Sequence, residues 1–109
     1  MSVRHRNNTE EIIQKTERLL CSYRDMVYMV NHAPNQYLAE TKEIIEIIET
    51  CFECLKGEPY ADILEYKYIE NLSDEKISEL KFCDPSTITR HRRKLLKRVS
   101  TMLFPGQLL

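Results

Sequence analysis

Seven side chains near the C-terminal end, Ser86, Thr87, Thr89, Arg90, Arg93, Lys94 and Lys97, are of kinds suited to one chemistry. That chemistry is recognition of a polyanion. Guanidinium and ammonium groups pair with phosphates, an arginine fork also fits guanine O6 and N7, and the threonine methyl can touch the thymine methyl. At about 100° per residue, a helix through this stretch places Ser86, Arg90, Arg93 and Lys97 on one side. Thr87, Thr89 and Lys94 border that cluster.

The sequence around these residues says how such a helix would be held. Ser73 is a good N-cap for a short helix over Asp74–Lys81, with Asp74 and Glu75 at its positive end. Leu72 before the cap and Ile77 after it fit a hydrophobic staple. The turn is Lys81-Phe-Cys-Asp84. Asp84 then caps a second helix with Pro85 at its first position, where a missing N–H does no harm. Ile88, Leu95, Val99 and Met102 share one face of that helix, with Leu96 and Leu103 beside them. A helix that is apolar on one side and basic on the other, after a short capped helix, suits insertion into the DNA major groove. Pro85, Ser86, Thr87, Thr89 and Arg90 stand near its N-terminus, where base edges are read, and Arg93, Lys94 and Lys97 stand where phosphates are held. Arg92 falls toward the inward side and can snorkel from the core edge. His91 borders the apolar face as a packing or phosphate residue.

Charge supports this placement. The 109 residues carry a net charge of -1, but unevenly. Residues 1–80 hold 9 Lys/Arg against 16 Asp/Glu, whereas residues 81–109 hold 7 against the single acid Asp84. Such asymmetry points the basic end at a polyanion. Two glycines and four prolines suit long helices better than a turn-rich β fold. The N-terminus has no secretory or transit pattern, and no apolar run approaches the ~20 residues of a membrane span. The expectation is a cytoplasmic protein with no membrane partner.

The N-terminal half reads as two long helices. Residues 1–9 look like a flexible basic start, with Thr9 as a cap before Glu10 and Glu11. Ile12, Thr16, Leu19, Tyr23, Met26 and Val30 then recur at alternating spacings of four and three, a heptad-like stripe. Asn31-His-Ala-Pro-Asn35 breaks it. A second helix from about Tyr37 to Lys56 carries Leu38, Thr41, Ile44, Ile45, Ile48, Phe52 and Leu55 inward and a row of glutamates outward. Gly57 stops it, with Pro59 beyond. These helices are expected to form a hairpin or a dimerisation arm; the alternative is that they simply cover the C-terminal module. A third helix is predicted over Tyr60–Glu70, with Ile63, Leu64, Tyr66, Tyr68 and Ile69 packing and Asn71 ending it. The fold class is therefore all-α, with residues 1–57 as a helical hairpin and residues 58–109 as a helix-turn-helix module.

Of the four cysteines, Cys51 and Cys54 form a C-x-x-C pair, but no second pair exists to complete a zinc site. Cys21 and Cys83 stand alone, and all four are expected to be structural. No glycine-rich phosphate loop, metal-ligand cluster or nucleophile–base pair is visible. No catalytic residue, metal or cofactor is predicted.

The stretch Tyr60-Ala-Asp-Ile-Leu-Glu-Tyr-Lys-Tyr-Ile-Glu-Asn-Leu-Ser-Asp-Glu-Lys-Ile-Ser-Glu, then Ser86-Thr-Ile and Arg90-His-Arg-Arg-Lys-Leu-Leu, resembles the region-4-like helix-turn-helix of bacterial sigma factors. It is more similar still to ArpU- and RinA-like phage or prophage transcriptional regulators. The resemblance runs from Tyr60 to Phe104, and the helix around Ile44–Leu55 shares it more loosely. It implies a sequence-specific DNA-binding regulator, of which a phage late-gene activator is one example. The expected partners are double-stranded DNA, a second copy in a homodimer, and RNA polymerase as a further candidate. The competing readings are a phage small terminase subunit and a polymerase-binding module without DNA. Two departures stand out. Phe82 occupies the place of a common turn glycine, and Lys81 that of a leucine, so the turn is expected to be wider or Phe82 to plug the core.

Overall fold

The computed structural model describes residues 3–32 and 38–106, with side chains from residue 8 onward. Every secondary-structure element among the described residues is a helix, without a strand. Their elements are α1 (Val3–Cys21), α2 (Tyr23–His32), α3 (Leu38–Cys54), a short α4 (Asp62–Leu64) running into a π-helical turn (Glu65–Ile69), α5 (Asp74–Lys81) and α6 (Pro85–Leu103). The all-α class is as the periodicity predicts.

α1 begins at Val3, so the expected flexible start is corrected: residues 3–9 are helical. Once the packed part of a helix has formed, each added residue gains a hydrogen bond without a new nucleation cost. No glycine or proline interrupts this stretch. The single helix expected to run to Asn31 is divided at Ser22. The Ser22 N–H is shared between the Arg18 and Leu19 carbonyls, at 3.2 and 3.1 Å. Its hydroxyl donates back to the Arg18 carbonyl at 3.0 Å, a bond that bends helices. α2 continues through His32; the rest of the predicted break, residues 33–35, lies outside the described residues.

α2 packs along α3, α1 across α6, and α5 against α6. The core draws on both sides of Gly57: Ile13, Leu20, Ile48, Phe52 and Leu55 meet Ile63, Leu64, Tyr68, Ile77, Ile88, Leu95 and Val99. The stripe on α1 and α2 is therefore spent largely within the chain. At the crossing of α1 and α6, Thr16 and Ser100 are fully buried. Thr16 donates to the Ile12 carbonyl at 2.8 Å. The Ser100 hydroxyl lies 2.7 Å from Thr16 Oγ1 and 2.8 Å from the Leu96 carbonyl. Small hydroxyl side chains here let two backbones approach without stranding a buried polar atom.

The predicted third helix is replaced by α4 and the π turn. The wider winding buries Tyr68 and leaves Ile69 exposed. It closes with the Leu72 N–H on the Tyr66 carbonyl at 2.9 Å, after Asn71 in the left-handed region (φ 59), a conformation asparagine tolerates. α5 forms with the predicted limits. Ser73 is extended and its Oγ accepts from the Lys76 N–H at 3.1 Å. Asp84 differs: it precedes α6 in extended conformation, but its side chain makes no capping bond. Its carbonyl alone accepts, from Thr87 and Ile88 at 3.0 and 3.3 Å.

Candidate nucleic-acid interface

Between α5 and α6 the chain turns through Phe82, Cys83 and Asp84. Phe82 is left-handed (φ 55, ψ 47). Its N–H bonds the Glu79 carbonyl, and the Cys83 N–H bonds the Ser78 carbonyl at 3.0 Å. This is the paired closure of a Schellman motif, whose left-handed position usually holds glycine. Phe82 thus does a glycine's backbone work in a tight turn. The two outcomes expected from the sequence are both corrected: the turn is not widened, and the ring does not plug the core. It is 96% exposed. The turn leaves the first residues of α6 outside, with Thr87 half-buried beside Phe82 and Ser86 exposed.

Three faces of α6 then differ in what they meet. The inward face carries Ile88, Leu95, Leu96 and Val99. At its edge lies Arg92, only 17% exposed at the side chain. Its guanidinium donates to both Asp74 oxygens, at 3.3 and 3.1 Å, and to Glu17 Oε1 at 3.1 Å. Lys67 lies 3.4 Å from Asp74, the Thr89 hydroxyl donates to Asp74 at 2.9 Å, and the Tyr68 hydroxyl donates to Glu17. One arginine thereby ties α6 to α5, to α1 and, through Tyr68, to the π turn. Burial works against charge at both ends of the pair. The hydrogen bonds of Arg92 and Thr89, with the Lys67 charge, still hold Asp74 below its ordinary value. Arg92 is correspondingly raised by Asp74 and its neighbours. The inward angle of Arg92 was legible in the sequence; its carboxylate partners, far away along the chain, were not.

The flanks of α6 are closed by carboxylates from elsewhere. Arg93 pairs with Glu10 of α1, and Arg98 pairs with Glu58. His91 lies half-buried on the Glu58 side, its ring stacked on Tyr60 at 4.0 Å. Burial, then the charges of Arg90 and Lys94, hold His91 below its ordinary value.

Between the flanks runs an open strip. Ser86, Arg90, Lys94 and Lys97 are exposed and make no ion pair with any described residue. The candidates divide accordingly. Ser86, Arg90, Lys94 and Lys97 share the open surface, and Thr87 sits at its start. Arg93 is at the edge in an exposed ion pair, and Thr89 is turned toward Asp74. No family model matches the chain, and neither does any curated protein or solved structure. What the strip can bind is therefore argued from its own geometry and charge.

Other chemistry finds little to work with. Among the described residues no group of three His, Cys, Asp or Glu side chains is placed to hold a metal ion. The four cysteines are free thiols, Cys51 buried and Cys54 exposed. Burial, then Cys54, pushes the Cys51 thiol up, away from the reactive thiolate. No described helix is long and apolar enough to cross a membrane.

Proposed function

We propose that this chain is a sequence-specific double-stranded DNA-binding protein, with α5, the Phe82 turn and α6 acting as a helix-turn-helix. The observation that carries the reading is the open strip of α6, where Arg90, Lys94 and Lys97 are exposed with no carboxylate among the described residues to neutralise them. Surface cations left unpaired in a chain with a net charge of -1 concentrate positive potential on one helix. α6 begins with a proline and an exposed serine, at the first turn of the helix, the part of a recognition helix that meets base edges. In this reading Ser86, Thr87 and Arg90 select sequence, and Lys94 and Lys97 hold phosphates. Arg93 joins them by exchanging Glu10 for a phosphate, since an exposed ion pair contributes only about 0–1 kcal/mol. Arg92 never leaves the protein; its role is to fix the angle of α6. The resemblance of the stretch from Tyr60 to Phe104 to phage regulators, carried by its sequence motifs alone, suggests transcription as the setting, with regulation of prophage or late genes as the process.

Selection from a randomised pool of DNA duplexes at low salt tests this. A recovered motif that Arg90→Ala blurs at one or two positions is the expected result. No retention of duplex DNA at low salt would remove the reading.

A further inference from the structure

Besides Asn71, two non-glycine residues are left-handed among the described residues, and both are aromatic: Tyr60 (φ 60) and Phe82 (φ 55). For a bulky side chain that conformation is strained. Tyr60 recovers that cost inside the chain. Its ring stacks on His91, and the Lys81 ammonium lies 5.4 Å from the ring centre. Phe82 recovers nothing, because its ring is 96% exposed. Leu80 beside it is also exposed. The chain thus maintains a strained backbone that presents an apolar ring to the outside.

The surroundings of the ring say what it fits. Asp84, and Glu79 in an exposed ion pair with Lys76, line the same concavity as Phe82. An acidic rim repels phosphate, so the ring suits an apolar protein pocket with a basic rim rather than DNA. One such pocket lies on the chain itself. It is a concavity of about 310 Å³ formed by Pro59, His91 and Leu95, with the unpaired Lys94 at its rim and Arg98 beside it in its ion pair with Glu58. The apolar groove beside Ile47 and Met102 is rimmed instead by Glu43 and Glu46, and would repel Glu79 and Asp84. We propose that Phe82 of one copy inserts into the Pro59–His91–Leu95 pocket of a second copy, with Glu79 and Asp84 facing Lys94 and Arg98.

Ring and pocket are different patches, so the contact is head-to-tail and propagates unless it closes. It shares Lys94 with the DNA reading but stands apart from it, since Phe82, Pro59 and Leu95 lie off the strip and the association is read without DNA.

Sedimentation of two variants, alone and mixed, tests it. Phe82→Asn keeps a residue suited to the left-handed turn and removes the ring. Lys94→Glu, at an exposed position, reverses the rim. The wild type should self-associate more weakly as salt rises, and each variant alone should associate about 10-fold more weakly or worse. Mixed, they should form a discrete 1:1 dimer, because one intact ring faces one intact pocket and nothing remains to extend the chain. A wild type that is monomeric throughout, or a mixture that stays monomeric, overturns the proposal. So does association that Phe82→Asn leaves intact and Met29→Ser with Ile47→Ser abolishes, which is the outcome for an N-terminal dimer. A loss of DNA affinity by Phe82→Asn in monomeric protein would make the ring a DNA contact and overturn it equally.

Discussion

Arg90 and Arg92 stand two positions apart on α6 and have opposite fates. Arg92 is folded against Asp74 and Glu17 and holds four elements in register. Arg90 is exposed without a described partner. The side chains are chemically identical, so the difference lies in angle around the helix and in what the rest of the chain brings to that angle. The acidic residues of the chain are distributed to match. Glu17 and Asp74 satisfy the inward arginine, Glu10 and Glu58 close the flanks, and the strip between them receives none from the described residues. A basic helix is thus made into a structural strut on one side and an open basic strip on the other.

The largest effect should come from removing the strut. Arg92→Ala leaves the half-buried Asp74 and Glu17 carboxylates facing one another's charge, and should cost about 3 kcal/mol, read as a shift in the urea midpoint. Arg90→Ala should leave that midpoint unchanged within about 0.5 kcal/mol, while weakening specific DNA binding by about 1–3 kcal/mol. Comparing the two variants in both assays separates strut from contact. A stability loss for Arg90→Ala equal to that of Arg92→Ala would collapse the distinction.

The turn offers a smaller test of opposite sign. Phe82→Gly removes the strain of a left-handed phenylalanine at the cost of glycine's chain entropy, and should raise stability by about 1 kcal/mol. An unchanged or lower thermal midpoint would mean that the ring or its backbone is held by something else.

Acid titration probes the inward side again. Asp74 titrates below its ordinary value of 3.8 in the folded chain. Its contribution is therefore fully present well above pH 3.8 and is lost as pH falls through that value and through the lower folded one. Asp74→Asn should flatten this acid limb of the stability curve and leave the neutral-to-alkaline side parallel to wild type.

How much of this could be read in advance follows the range of the interactions. The start of α5 was legible because Ser73, with Leu72 and Ile77 around it, settles it within one turn. The basic face of α6 was legible from helical spacing alone. The π turn was not, since its widening serves to bury Tyr68 beside Glu17, a partner 51 positions away. Glu10 reads from sequence only as helix charge and Glu58 carries no signal at all, because nothing local says that they will face Arg93 and Arg98. The tight turn at Phe82 was missed for a different reason. Residue preference forecast glycine's conformation only for glycine, whereas the packed helices on both sides impose it on phenylalanine.

The functional reading turns on whether the open strip of α6 meets phosphates. The slope of the logarithm of the DNA association constant against the logarithm of salt concentration reports this. Wild type should show a steep negative slope, and Lys94→Ala with Lys97→Ala should reduce its magnitude by about 2, roughly 0.9 for each phosphate no longer neutralised. Parallel lines for wild type and the double variant would mean that the strip meets no phosphate.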